Sequence, residues 1–286
     1  MAYTEQLYLI DINASLLSAL NKMTEQGIHR LTVVDSKNHV RGVLSSLRVL
    51  DVLAGRRGDG IKKREGENLE KLLEEGVHLF VGDYLHQLSL DMSLRGLISY
   101  IMENRVCHIT LTDQAGTIRG VVTGSCVLNQ FPLKEYGIKI SDVMTPEVHT
   151  LSSQRTIREA IEMLSSYNIR RLPIMEDEEI KGLVNAKELL QNFAPSNLRT
   201  PPSEEAVDRI MSKKLGSIGA KKPTAYSQED DIVCLVEEIR RGEQKAFPIL
   251  EDGRLVGIAT SRDIISELPK VMGITKFLSL IQSEDI

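Results

Sequence analysis

The 286-residue sequence has no tryptophan, three cysteines, five phenylalanines and seven tyrosines. So few rings leave little platform for stacking unpaired bases, which disfavours a single-strand nucleic-acid binder. The nearest cysteines, Cys107 and Cys126, have no CxxC spacing, which argues against a disulfide framework and a paired-cysteine metal site. No apolar run approaches the ~18 residues that span a bilayer, and the opening MAYTEQLYLIDIN lacks the basic stretch of a secretory leader. Positive charge is not in excess either. Lys plus Arg number 35 against 40 for Asp plus Glu, a net charge of -5, which speaks against a dedicated nucleic-acid binder. GRRGDG lacks the Lys and Ser/Thr of a phosphate-binding P-loop, no GxSxG or HExxH occurs, and the six dispersed histidines have no metal-ligand spacing. With 42% hydrophobic and 26% charged residues, what is left is a soluble globular chain of about two domains. The expectation is a cytoplasmic, non-catalytic protein.

What the sequence does have is a repeat. One block, helix then apolar strand, polar turn, glycine-containing strand and second helix, occurs at 19–53, 97–128, 160–190 and 235–265. The shared glycines are Gly42, Gly120, Gly182 and Gly257. Their uneven spacing fits a compact unit of about 50 residues with variable connections better than a strict solenoid. In the third copy Ile157, Ala160, Ile161 and Leu164 form one helical face. RRLPIM and IKGLVN read as a hairpin closed by EDEE, and Asn185 with Glu188 three residues on reads as a helix start. Copies three and four share a preface, VMTPEVHTL and IMSKKLGSIGAKKPTAY.

The reading assigns copy one to 1–54, a connection to 55–82 and copy two to 83–128. A linker between two halves follows at 129–139, then copy three at 140–192, a second linker at 193–205, copy four at 206–268 and a terminal segment at 269–286. Pro269 is expected to break the chain before ITKFLSLIQ. A unit this small buries little apolar surface alone, so the units should pair, most simply as consecutive copies. The fold class is α/β (α+β).

The endings of the G-h-h-h-T-x-x-D kind and the R-x-L-P-h-h strands resemble cystathionine-β-synthase (CBS) domains, over nearly the whole chain. The layout is similar to archaeal four-repeat members of that family and to the gamma subunit of AMP-activated protein kinase. Copies three and four match the pattern well. Copies one and two match less fully, with Thr32 and Ile109 where proline is usual. The resemblance implies two Bateman modules forming a disc, dimerisation of discs in some members, and an adenosine derivative in the cleft between paired units. AMP comes first among ligands, then ADP and ATP. S-adenosylmethionine, which lacks phosphates, is the alternative ligand. No cofactor is implied.

Carried over residue by residue, the fourth copy offers the best site, GIATSRD. Gly257 would allow close ligand approach, Thr260 begins a helix whose N-terminus favours phosphate, and Asp263 would accept hydrogen bonds from both ribose hydroxyls. Capping alone also explains a Thr followed by an acid within one turn. Asn185 and Glu188 stand at the same positions in the third copy, where capping explains them equally well. Arg48 in copy one cannot accept a ribose hydroxyl, and Cys126 replaces the acid in copy two. The family takes phosphate charge from the partner unit's strand. Arg170 and Arg171 match there, although neighbours on a strand face opposite ways, and Lys245 is a further cation. His29 and Arg30 match in the first module. Adenine would lie against Thr224, Ala225 and Tyr226, and against Gln244, Ala246 and Pro248. The rival reading is a nucleic-acid or protein scaffold, carried by the basic cluster Arg56, Arg57, Lys62, Lys63 and Arg64, for which a solvated loop balanced by nearby glutamates is the simpler explanation. An unidentified regulated protein is the expected partner, and membranes are not.

Overall fold

The structure is a computed structural model describing residues 4–54, 60, 68–82, 86–194, 202–242 and 244–281. The basic cluster Arg56, Arg57, Lys62, Lys63 and Arg64 lies outside these residues. The fold is mixed α/β with four small sheets, one per copy.

Each copy is built the same way. A short strand runs parallel to the first hairpin strand, with a helix between them, and a second helix follows the hairpin. In copy three these are strand Leu151–Ser152, helix Ile157–Ser166, strands Arg171–Glu176 and Glu179–Asn185, and helix Ala186–Gln191. The first helix begins where Thr156 and Glu159 satisfy each other's backbone N–H groups, and it buries Ile157, Ala160, Ile161 and Leu164, as the apolar spacing predicts. Its hairpin turns through Asp177 and Glu178, both left-handed at φ 47 and 67, the two-residue turn that suits strand twist. In copies one and two the turn is instead fastened by an aspartate. The Asp35 carboxylate accepts the Lys37 and His39 N–H groups and the Arg41 guanidinium. Asp113 does the same with Ala115, Thr117 and Arg119.

The register corrects one assignment. Thr32 pairs with Val43, Pro173 with Leu183 and Pro248 with Ile258, each beside the shared glycine's pair. In copy two that place belongs to Thr110, opposite Val121, and not to Ile109. The difference matters for the parallel strand. Thr32 and Thr110 donate their N–H groups to the Tyr8 and His86 carbonyls, both at 2.8 Å. Proline has no N–H to give, and the parallel strands of copies three and four are two residues long against three in copies one and two.

The chain forms two compact units, each assembled from alternate copies. One unit, 7–85 with 149–222, joins copies one and three. Its core runs from Leu20, Met23, Val49 and Leu50 to Ile161, Leu164 and Leu189, with helix Ser46–Ala54 packed on helices Ile157–Ser166 and Ala186–Gln191. The other, 1–6 with 86–148 and 223–286, joins copies two and four through Ile98, Ile101, Val127, Val236, Ile264 and Leu268. The buried cores thus cross the consecutive grouping read from the sequence, because the amphipathic helix faces pair with their counterparts two copies away. Within each unit, further segments are laid along strand edges. Residues 4–5 pair with Val121 and Val122, Thr145 pairs with Ile258, and Leu183 N–H donates to the Lys221 carbonyl.

Two connections are tighter than expected. Residues 129–139 bury Phe131 and Ile138, and the Asp231 carboxylate accepts the N–H groups of Tyr136, Gly137 and Ile138 at 2.9, 2.7 and 3.3 Å. The stretch is therefore part of a core and not a free linker. Pro269 lies buried inside helix Ser261–Met272, and the chain turns later, at Gly273 with φ 85. Pro269 has no N–H for the Ile265 carbonyl, so the helix continues past it with one ladder bond absent.

Candidate functional site

The fourth-copy hairpin, Ala246–Glu251 and Arg254–Thr260, leads into helix Ser261–Met272. Thr260 is the N-cap. Its Oγ1 accepts the Asp263 N–H at 3.3 Å, and Asp263 Oδ2 accepts the Thr260 N–H at 2.9 Å and its hydroxyl at 2.6 Å. Capping is therefore real, and it occupies one carboxylate oxygen. The other is only loosely engaged. Oδ1 receives the Thr145 hydroxyl at 3.4 Å, and the Arg105 guanidinium stands 3.8 Å away. Asp263 is 7% exposed, so this second oxygen is an acceptor held in a largely dry setting.

Thr145 and Arg105 were not found from the sequence. Thr145 arrives on the preface of copy three, along the outer edge of the Arg254–Thr260 strand. Arg105 belongs to copy two and also pairs with Glu267 at 3.2 Å. One signal for it was present. The helices preceding the hairpins close on left-handed residues Gly27, Arg105, Asn168 and Gly242, and arginine is the odd one in that set.

Gly257 has a different role from the one expected. A Cβ there would lie 2.5 Å from Met144 Sδ and 3.2 Å from the Thr145 carbonyl, so the glycine makes room for the incoming preface and not for a ligand. Gly182 makes the same room for Ala220, and Gly42 for Val81.

The remaining fourth-copy candidates fall on the same sheet but not at one point. Ala246 and Pro248 are buried in the middle strand, opposite Thr260 and Ile258. Tyr226 pairs with Ile249 on the far side of that strand, its ring 5.7 Å from Phe247. Burial pushes its phenol up to about 12, so it stays neutral. Thr224 and Ala225 precede it on this edge, whereas Thr145 occupies the edge nearer Asp263. Gln244 Oε1 accepts the Thr224 N–H at 2.9 Å, and its Nε2 donates to the Thr224 carbonyl at 2.8 Å. Lys245 is half-buried beside it and forms no ion pair among the described residues.

Arg170, Arg171, Asn185 and Glu188 belong to the other compact unit. Asn185 and Glu188 form a capping pair, at 3.0 Å from the Glu188 N–H and 3.2 Å from the Asn185 N–H. Arg171 lies opposite Asn185 in the hairpin. In copies one and two the same position is a plain N-cap: Ser45 Oγ accepts the Arg48 N–H, and Thr123 Oγ1 the Cys126 N–H. Among the described residues no group of His, Cys, Asp and Glu is arranged to hold a metal. No described helix is long and apolar enough to cross a membrane.

Four units of this order, each turning from a glycine-bearing strand into a capped helix, define a tandem α/β repeat protein. The chain belongs to the CBS-domain family, whose pattern matches residues 3–55, 140–194 and 205–270, more than half of its length. Copy two has the same element order outside those stretches. Over 276 residues the chain is 26% identical to an uncharacterised 33.4 kDa protein in the ribosomal RNA operon of Thermofilum pendens, covering 95% of this chain and 91% of that one. The crystal structure of protein MJ1225 from Methanocaldococcus jannaschii, described as a proposed archaeal homologue of g-AMPK, superposes with a TM-score of 0.83. That match has 16% identity over 93% of this chain and 98% of that one. An uncharacterised conserved protein from Pyrococcus horikoshii gives 0.57, at 14% identity over 92% and 96%. At these identities the structural likeness establishes the fold.

Proposed function

We propose that the chain is a non-catalytic regulatory module that binds an adenosine nucleotide, AMP first and ADP or ATP next, at its fourth copy. A regulated partner protein would read the occupancy. The observation that carries this reading is the divided carboxylate of Asp263. Its Oδ2 is fixed by Thr260, which sets the orientation of the group, and its Oδ1 keeps acceptor capacity. A ribose hydroxyl donating to Oδ1 would make a charge-assisted bond without breaking the cap. The N–H groups at the start of the 12-residue helix add partial positive charge for a phosphate. The likeness of the whole chain to MJ1225 supports the same reading. Binding alters a partner only through different affinity for two arrangements of the protein.

Calorimetry of the full chain with AMP, ADP, ATP and S-adenosylmethionine tests this. Asp263→Asn keeps the size of the side chain and removes the charge. Losing one charge-assisted bond of about 1.5–3 kcal/mol should weaken AMP roughly tenfold or more, with the melting transition kept. Unchanged affinity removes Asp263 from the site. Preference for S-adenosylmethionine would replace the ligand, and failure of all four would favour an interaction scaffold.

A further inference from the structure

Copies one, three and four share a seam that copy two leaves open. In each, the residue at the entry to the first helix, Ser15, Thr156 or Asp231, is bridged to an incoming segment at Gly76, Lys214 or Lys139. The flanking bonds repeat. The next residue, Leu16, Ile157 or Ile232, donates its N–H to the carbonyl of Glu75, Lys213 or Ile138 at 2.9–3.0 Å. In return Val77, Leu215 or Ile140 donates to the carbonyl of Ala14, Arg155 or Asp230 at 2.8–2.9 Å. Val77, Leu215 and Ile140 are at most 1% exposed, so each segment brings one aliphatic side chain into a core.

Copy two has the same entry at Ser93, but among the described residues no segment is bridged to it. The Met92 carbonyl and the Leu94 N–H, which correspond to Ala14 and Leu16, form no backbone hydrogen bond there. Leu16, Ile157 and Ile232 are fully buried, whereas Leu94 is half-buried and Met92 is 39% exposed. The flanking helix is nonetheless in place. Ile274–Ile281 packs on helix Leu94–Asn104 as Leu69–Glu74 packs on Leu16–Glu25.

Charge narrows what fits the open seam. Two residues before each entry stand Asn13, Asp91, Gln154 and Glu229. Lys139 pairs with Glu229, Lys214 donates to the Gln154 side chain at 2.8 Å, and copy one, with neutral Asn13, receives Gly76. Asp91 is exposed and forms no ion pair among the described residues. The residues after Ile281 have the wrong character. Gly76 stands two positions past Glu74 and Lys214 three past Met211. In QSEDI those positions are Ser283 and Glu284, which puts Glu284 or Asp285 where an aliphatic side chain is buried. A carboxylate buried there, close to Asp91, is costly.

We infer that the Met92–Leu94 edge of copy two is the docking site for an extended segment of the regulated partner protein. The segment lies antiparallel to the edge, accepts the Leu94 N–H and donates to the Met92 carbonyl. It carries Lys or Arg opposite Asp91, followed by Val, Ile or Leu. Helix Leu94–Asn104 runs from this edge to Arg105, which faces Asp263, so partner and nucleotide meet opposite ends of one helix. The inference rests on the regulatory reading for the existence of a partner, not for the identity of the nucleotide.

The probe is a synthetic peptide of residues 136–145, YGIKISDVMT, which carries Lys139 and Ile140. Added to the isotope-labelled full chain without nucleotide, it should shift the amide signals of residues 91–96. Leu94→Pro removes the docking N–H at the first helical position, where proline is accepted, and Ser93 at φ -63 and ψ 150 already has the backbone that a following proline needs. It should weaken the peptide about threefold to tenfold. Asp91→Lys should weaken it about threefold, and the Lys139→Glu peptide should recover the loss. Shifts at residues 91–96 together with both losses support the site. No shift there up to roughly 1 mM peptide, or unchanged affinity in a Leu94→Pro chain that melts cooperatively, overturns it. Binding that appears only after removal of residues 282–286 assigns the edge to the chain's own tail, and dissociation of a dimer by the peptide assigns it to a second copy. Either result overturns the partner. Because nucleotide is absent, failure of the peptide leaves the Asp263 reading standing, and failure of every nucleotide leaves the peptide result standing.

Discussion

Glu178 sits at φ 67, where a side chain crowds its own backbone. The equivalent turn of copy four is Asp252 and Gly253, at φ 48 and 79, the sequence that this turn prefers. The left-handed conformation costs a residue with a Cβ about 1–2 kcal/mol, and the extra freedom of glycine in the unfolded chain returns part of that. Glu178→Gly should therefore stabilise the protein by about 0.5–1 kcal/mol, read as a higher denaturation midpoint at unchanged slope. An equal or lower midpoint would show that the turn is not strained. Arg105 is in the same region at φ 49, but its pairs with Asp263 and Glu267 offset the conformation. The two strained residues are thus of different kinds, one in a plain turn and one beside the candidate site.

The shared glycines act at the scale of whole segments. At Gly182 a Cβ would lie 2.5 Å from Ala220 Cβ and 3.0 Å from its carbonyl oxygen, so the preface backbone itself must move. At Gly257 the nearest atom is Met144 Sδ, in a flexible side chain. Overpacking costs about 1–3 kcal/mol, and Gly182→Ala should fall near the top of that range, Gly257→Ala near the bottom. Equal losses in chemical denaturation would contradict this account of the glycines. The example also shows what the sequence can and cannot disclose. Hairpins, caps and the glycine register were legible because each is decided within about ten residues: Asn185 with Glu188, or the EDEE turn. Which segment fills the space at Gly257, or which side chains approach Asp263, was not. Thr145 and Arg105 reach it from 118 positions away in one case and from another copy in the other. An amphipathic surface specifies that it must be covered, not by what.

The same limit governs the whole molecule, where it separates the two groupings of the copies. Segments leading into a neighbouring copy lie along strand edges inside each unit, and alternate copies share cores. Cutting after residue 139, at the boundary that the sequence suggests, leaves Leu20, Met23, Val49, Leu50 and Leu53 without the helices of copy three. It also leaves Ile98, Ile101, Val127 and Phe131 without those of copy four. Each stranded aliphatic or aromatic side chain forfeits about 1.5–3 kcal/mol of burial, and a handful of them equals the ~5–15 kcal/mol by which a domain is stable. The strand-edge pairs remain, but backbone hydrogen bonds contribute only about 0.5–1.5 kcal/mol each and do not restore that balance. A fragment of residues 1–139 should therefore not be a folded monomer. It has two outlets: a poorly packed state with native-like helix content, or association in which one copy's helix faces cover those of a second fragment. Sedimentation with near-ultraviolet dichroism separates these, since packed tyrosines give a signal only in the associated form. Adding the fragment 140–286 should restore a one-to-one complex with the cooperative melting of the intact chain. A monomeric, cooperatively folded 1–139 would mean that the alternate-copy cores are not what stabilises the protein, and that the strand edges alone suffice.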